Sequence, residues 1–465
     1  MKKIPVLFIF LFCFCSAVFT QKIQYSRGTF HINNIEGTQF VSNIAGYYHL
    51  LYFDFNEKPS IHIFNSQLQL IGKKEIDILI KKNCDVRVLP FANYYFLYTH
   101  IVKDSKHELW KIDKGGNSTC ISEKFQRIID SVFTKYTATF QLINDEGKLF
   151  LLATTYYDSL KRLGCTIIQF DSDLNPTHVS TVLIPFISQT ESLQQTVLAG
   201  GNLFALKISK NEETGNLLNL MKIELSTGEI ITNSFNSGSF INTYPAFILS
   251  NQDSTIIIYS ILMAPSLGRG AQRNILLSKL DYKLREKVPV TILKSQFRQN
   301  ILSNFLLFEG TQSVWVNVYN SPRLQRINSE GPDLSNSFNQ PSAIRFSVLD
   351  DQLKFKSDSL VANNKKIIEV QPHPFAQFIL NNKGYLILVQ NFTRKQRGLL
   401  MVGSTAKGHF STVPIPVYDR YNYLLTQLQL INNSYFIVPF VTKSEIGLMK
   451  VTVADEEVKT SNSGN

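Results

Sequence analysis

One pattern recurs eight times along the chain and restricts its possible folds more than any other feature. A short apolar stretch passes through a turn of Gly, Asn, Asp or Ser and enters a strongly apolar or aromatic stretch: SNIAGYYHLLYF, LPFANYYFLYT, INDEGKLFLLAT, LAGGNLFALKI, SNQDSTIIIYS, FEGTQSVWVNVY, NNKGYLILVQN and INNSYFIVPF. Runs rich in β-branched and aromatic residues, joined by such turns, predict β-hairpins. The second strands open at Tyr47, Tyr94, Leu149, Leu203, Thr255, Val314, Tyr385 and Tyr435, an average spacing of about 55 residues. After a variable loop each unit supplies a third strand and another turn, clearest in IHIFNSQLQL, IIQFDSDLNP, LLSKLDYKLR and IRFSVLDDQLKF. A more polar fourth strand follows. Without helical periodicity to interrupt it, each unit is expected to hold four antiparallel strands, A to D.

A unit of this size cannot bury its apolar faces alone and must stack on its neighbours. Four-stranded units repeated in this way resemble a β-propeller, in which radial repetition leaves only short, protected edges. The resemblance covers nearly the whole chain after residue 20 and rests on period and strand pattern. There is no Gly-His with Trp-Asp pairing of WD40 repeats, no recurrent kelch diglycine and no sialidase-type box. Gly200-Gly201 alone stands where a kelch-like diglycine would. KIELSTGEI, residues 222–230, resembles part of a quinoprotein blade, but two tryptophans cannot supply the repeated docking of that family. The expected fold is all-β, an eight-bladed propeller, with seven blades as the alternative because the interval from Val314 to Tyr385 is long, about 71 residues. An unpaired strand in the last blade would invite aggregation. The strand-like segment KIQYSRGTFHINN, residues 22–34, is therefore expected to close the ring as that blade's outer strand.

Residues 1–20 open with Lys2 and Lys3, run apolar from Ile4 to Phe14 and reach Ser16, Ala17 and Thr20, the pattern of a secretory signal peptide. The expected organisation is a signal peptide at 1–20, a single propeller domain at 21–456 and a polar tail at 457–465. The destination is periplasmic, cell-surface or extracellular. No later stretch approaches 18 uninterrupted apolar residues, so no transmembrane segment is expected in the mature chain. Cys13 and Cys15 leave with the signal. Cys84, Cys120 and Cys165 are too few and too odd in number for a disulfide framework. Cys84 and Cys120 fall near strands A and D of the second unit, roughly 14 Å apart and too far to bridge.

The formal charge of +11 falls to about +9 without Lys2 and Lys3, a basic exterior that attracts polyanions. In a propeller the B–C loops and the connections between blades share one face, where binding residues concentrate. Two B–C loops are long, at 262–273 and 321–342, and the eight together carry a net charge of about +5. Arg269, Arg273, Arg323, Arg326, Arg394, Lys395 and Arg397 come from three consecutive units and are the candidate ligand-binding residues, since cations converging from neighbouring loops can bind an anion through charge-assisted hydrogen bonds. Trp315 and Tyr319, suited to stacking on a sugar or to blade packing, and His373 in QPHPF are further candidates.

Asp171, Asp173 and Asn175 have the alternating oxygens of a calcium loop, but Pro176 replaces its glycine and its distal glutamate is missing, so a hairpin turn is expected. The scattered histidines give no zinc spacing, and no metal or cofactor is expected. No catalytic residue can be assigned, and no nucleic-acid motif is present. The sequence favours a non-catalytic recognition module for an acidic glycan, a polyanion or a protein partner over the alternative, a carbohydrate-active hydrolase or lyase at the mouth of the central channel. The oligomeric state is not encoded in any motif.

Overall fold

The computed structural model describes residues 21–453 apart from internal segments, of which 264–273, 321–340 and 363–374 are the longest; between 301 and 414 it describes backbone and only a few side chains. The expected signal peptide and polar tail lie outside the described residues. Among those residues the chain forms seven four-stranded antiparallel sheets and one six-stranded sheet. The first sheet comprises Thr38–Ile44, Tyr47–Tyr52, Ser60–Phe64 and Leu70–Glu75. The second comprises Cys84–Pro90, Tyr94–Ile101, Lys106–Asp113 and Ser118–Cys120. The third comprises Thr137–Asp145, Lys148–Tyr157, Arg162–Phe170 and Pro176–Pro185. The fourth comprises Glu191–Ala199, Asn202–Asn211, Gly215–Glu224 and Ile230–Asn236.

The fifth, sixth and seventh sheets repeat the order, starting at Ile241–Ser250, Ile301–Glu309 and Phe375–Leu380. In the eighth, the short pieces Asn422–Tyr423 and Gln429–Ile431 pair with Tyr435–Val441, which pairs with Glu445–Val453. The N-terminal strand Gln21–Tyr25 then pairs with Glu445–Val453, with Gln21 opposite Val453 and Tyr25 opposite Met449. All eight second strands begin within two residues of the positions read from the sequence. First strands adjoin between sheets one and two, two and three, three and four, four and five, and six and seven, and Gln429–Ile431 adjoins Thr38–Ile44. The fold is an all-β propeller.

Strands B and C are covered on both faces by neighbouring sheets, so they are apolar throughout instead of alternating. Tyr47–Tyr52 and Ser60–Phe64 are buried almost without interruption, whereas the outer strand Leu70–Glu75 is mostly exposed. A separate apolar cluster fills each described seam. Ile61, Ile63, Tyr95 and Leu97 join sheets one and two, and Phe150, Leu163, Leu203 and Met221 join three and four. Leu50 and Phe64 meet Ile437 and Leu448 between the first and eighth sheets.

Five C–D turns share one construction. The side-chain Oδ1 of Asn65, Asp113, Asp171, Asp281 or Asp350 accepts hydrogen bonds from the backbone N–H groups two and four residues on, at 2.8–3.1 Å. Asp171, Asp173 and Asn175 thus form a turn. The residue three after the capping side chain has positive φ. In four turns it is a leucine: Leu68, Leu174, Leu284 and Leu353, at 56–60°. A left-handed leucine costs about 1–2 kcal/mol. Burial of its side chain in the preceding seam offsets that cost. Leu174, for example, packs with Phe96 and Leu109 of the second sheet, and Leu284 with Phe204 and Leu220 of the fourth. The signal was in the sequence as an apolar residue, Asx, two variable residues and Leu.

Besides the short 3-10 turns Asp158–Leu160 and Leu425–Gln427, an α-helix departs from the all-strand expectation. The helix α1, Ser122–Val132, joins the second and third sheets. It buries Phe125 and Ile129, four residues apart and so on one face, in the seam between those sheets. Lys124 holds it to the next turn, donating to the Asp173 carbonyl and to Asn175 Oδ1. Eleven helical residues among long strands are too short a run for periodicity to declare itself. Of the three cysteines of the described chain, Cys120 is exposed, Cys84 half-buried and Cys165 buried.

Candidate functional site

Antiparallel order within every sheet places the A–B and C–D turns on one face, the hairpin face. The B–C loops and sheet-to-sheet connections lie on the other, the loop face. Of the predicted binding residues, Arg269, Arg273, Arg323, Arg326, Arg394 and Lys395 lie outside the described residues. Arg397 opens the strand Arg397–Ser404 opposite Phe392, but its side chain is not among those described. Trp315 and Tyr319 lie in Gln312–Asn320, described by backbone alone, and His373 lies outside the described residues.

The structure adds a feature of the loop face that charge counting missed. Large apolar side chains are exposed there: Tyr157 at the end of strand B of the third sheet, Leu160 in the following loop (61% exposed), Ile187 between the third and fourth sheets, and Tyr418 between the seventh and eighth (59% exposed). Single exposed apolar residues are ordinary. Ile187 and Tyr418 are set apart by how firmly their backbones are held.

Ile187 N–H donates to Glu191 Oε2 at 2.8 Å, and Glu191 Oε1 accepts from Lys207 Nζ at 2.8 Å and Ser209 Oγ at 2.7 Å. Lys207 Nζ also donates to the Pro185 carbonyl at 2.9 Å, and Asn219 Nδ2 donates to Ser209 Oγ at 2.8 Å. Ser234 Oγ donates to Asn219 Oδ1 at 2.7 Å, so the network crosses all four strands of the fourth sheet. Burial pushes the Glu191 carboxyl up, but the bonds from Lys207, Ser209 and Ile187 outweigh it and hold the group below the usual carboxylate value.

Tyr418 is held as firmly. Its N–H donates to Tyr25 Oη and its carbonyl accepts from Tyr423 Oη, both at 3.2 Å. The Tyr25 and Tyr423 hydroxyls are 3.0 Å apart. The Tyr418 ring leans on that of Tyr25, centroids 4.8 Å apart, and Tyr421 stacks on Phe440 at 4.6 Å. Burial raises the Tyr25 hydroxyl above its ordinary pKa, so it remains a neutral donor and acceptor. The N-terminal strand therefore builds part of this surface. On the third sheet, the Tyr157 ring lies over Gly164, where a Cβ would come within 2.7 Å of it. Glycine there lets the ring settle against strand C.

Rigid aromatic surface of this kind can contact the apolar side of a ligand. Sequence reasoning missed these residues because exposure of a Tyr or Ile at a strand end is decided by its neighbours in space. Among the described residues no group of three or more His, Cys, Asp or Glu is placed to hold a metal ion, and no helix is long and apolar enough to cross a membrane.

No protein-family model and no curated protein matches the chain. Solved structures do. The WD40 domain of SCAP from fission yeast matches at 9% identity and a TM-score of 0.40, covering 84% of this chain and 99% of that one. The β-propeller domain of the Trilobed protease from Pyrococcus furiosus matches at 9% identity and 0.39, covering 81% and 97%. An ulvan lyase of polysaccharide lyase family PL25 matches at 10% identity and 0.39, covering 91% and 93%.

Proposed function

We propose that this chain is an exported, non-catalytic recognition propeller, working at the periplasm, cell surface or outside the cell, that binds an acidic glycan through its loop face. Eight blades form its ring, closed by Gln21–Tyr25 as the outer strand of the last blade. Supporting that arrangement are the pairing of this strand with Glu445–Val453 and the shared apolar cluster of the first and eighth sheets.

The observation that carries the ligand reading is Tyr418, whose exposed ring stands on a backbone bonded to half-buried Tyr25 and buried Tyr423, on the loop face. An acidic glycan offers carboxylate or sulfate groups to Arg394, Lys395 and Arg397 and apolar ring faces to the tyrosine. A polyanion without sugar rings would use only the first set, and a protein partner would use both.

Retention of residues 21–465 on immobilised heparin and on polyphosphate across a salt series tests the reading. The expected result is salt-sensitive binding to both, weakened when Arg394, Lys395 and Arg397 are changed together to alanine. Tyr418→Ala weakens retention on heparin alone. Elution of wild type and triple variant together at low salt overturns the proposal.

A further inference from the structure

Between the third and fourth sheets no leucine occupies the left-handed position of the C–D turn. The fourth sheet's turn runs from Glu224 to Glu229, and its left-handed position is Gly228, at φ 73°, with no side chain to enter the seam. Glycine stands at the same place in the second sheet's turn, as Gly116, but Ile63 and Lys74 of the first sheet press against it. Around Gly228 nothing lies within 4 Å of where a Cβ would be, and the same is true of Gly200 and Gly201 in the adjoining A–B turn.

A cavity of about 360 Å³ opens at this seam, on the hairpin face. Its floor is apolar, made of Phe150, Ile167, Leu198 and Leu225 from the cluster that joins the two sheets. Polar groups stand on both sides: Asp145, Lys148, Gln169 and His178 from the third sheet, Asn202 and Glu224 from the fourth. Gln169 faces His178 across strands C and D, and Asn202 faces Glu224 across strands B and C, so each pair projects from a hydrogen-bonded ladder. Asn202 Nδ2 is steadied by the Gly200 carbonyl at 2.9 Å, and Glu224 Oε2 by Thr227 Oγ1 at 3.1 Å.

We propose that this seam is a second binding site, for a neutral saccharide of one or two rings. The volume is near the lower end for small-molecule pockets, roughly 300–1,000 Å³. An apolar floor between mixed donors and acceptors matches a sugar ring, whose C–H face is apolar and whose hydroxyls both give and accept hydrogen bonds. Two carboxylates against one ammonium repel acidic ligands, the opposite of the basic loop face. The net negative charge also attracts a small polyamine, but such a chain lacks the hydroxyls that Lys148, Gln169 and Asn202 would meet.

Calorimetric titration of residues 21–465 with glucose, galactose, cellobiose, glucuronate and putrescine tests the site. At least one neutral sugar is expected to bind. Glu224→Gln should weaken it about tenfold by removing a charged acceptor. Ser226→Trp, at an exposed position of the lining, should abolish binding by filling the cavity while leaving the core untouched. The triple loop-face variant should bind these sugars like wild type, which separates this site from the acidic-glycan reading. The proposal is overturned if no neutral sugar binds, if glucuronate or putrescine binds more tightly than every neutral sugar, or if Ser226→Trp leaves binding intact.

Discussion

The Ile63 side chain stands 2.8 Å from the point where a Cβ on Gly116 would sit, so the first and second sheets meet there with no room for a methyl group. Gly116 also has φ 76°, a conformation that side chains resist. Gly116→Ala should therefore cost about 2–4 kcal/mol, combining left-handed strain with overpacking against a buried isoleucine. Gly201→Ala, at φ 73° but with open space around it, should cost only the strain, about 1–2 kcal/mol. Urea midpoints of the two variants give the comparison. Equal losses would mean that the seam at Gly116 adds nothing.

Leu284 shows the same seam chemistry filled from the other side. It is 4% exposed and sits at φ 57° among Phe204, Leu218 and Leu220. Leu284→Ala keeps the backbone strain and empties the seam, so a loss of about 2–5 kcal/mol is expected by urea denaturation.

Burial lowers the pKa values of His49, His62 and His107 from 6.5 to about 4. In that window the unfolded chain binds protons that the native one refuses, so stability is full above about pH 6.5 and falls as the pH drops toward 4. His62 stacks on Phe30, ring centroids 3.3 Å apart, which ties this loss to the N-terminal segment. His62→Phe should flatten the urea midpoint against pH between those limits. An unchanged slope would remove His62 from the account.

Glu191 lies below the usual carboxylate value in the native protein, so its contribution is present above the unfolded pKa of about 4.3 and is lost as the pH falls further, through the native value. Glu191→Ala leaves Lys207, 7% exposed, without its carboxylate and should cost about 3–5 kcal/mol at neutral pH. It also frees the Ile187 amide, whose hydrogen exchange should accelerate.

The thiols differ in access. Burial pushes the Cys165 thiol up to about 12, whereas Cys120 is exposed. In the folded protein a thiol-reactive disulfide should label Cys120 first and leave Cys165 untouched until denaturant is added. Early labelling of Cys165 would contradict the packing of the third sheet against the fourth.

What the sequence determined by itself was local and repetitive. Tyr47, Thr255 and Tyr435 open strands where the apolar runs placed them, because turn chemistry and strand preference act over a few residues and recur in every unit. Only the tertiary structure decided the rest. Burial of Phe125 and Ile129 against strands far away in sequence made 122–132 a helix. Tyr418 became a fixed surface because Tyr25, at the other end of the chain, reaches it. Gly116 and Gly228 occupy equivalent turns, yet one is packed against Ile63 and the other borders a cavity. The chain alone does not separate them, because packing across a seam depends on which side chains two independently formed sheets bring together.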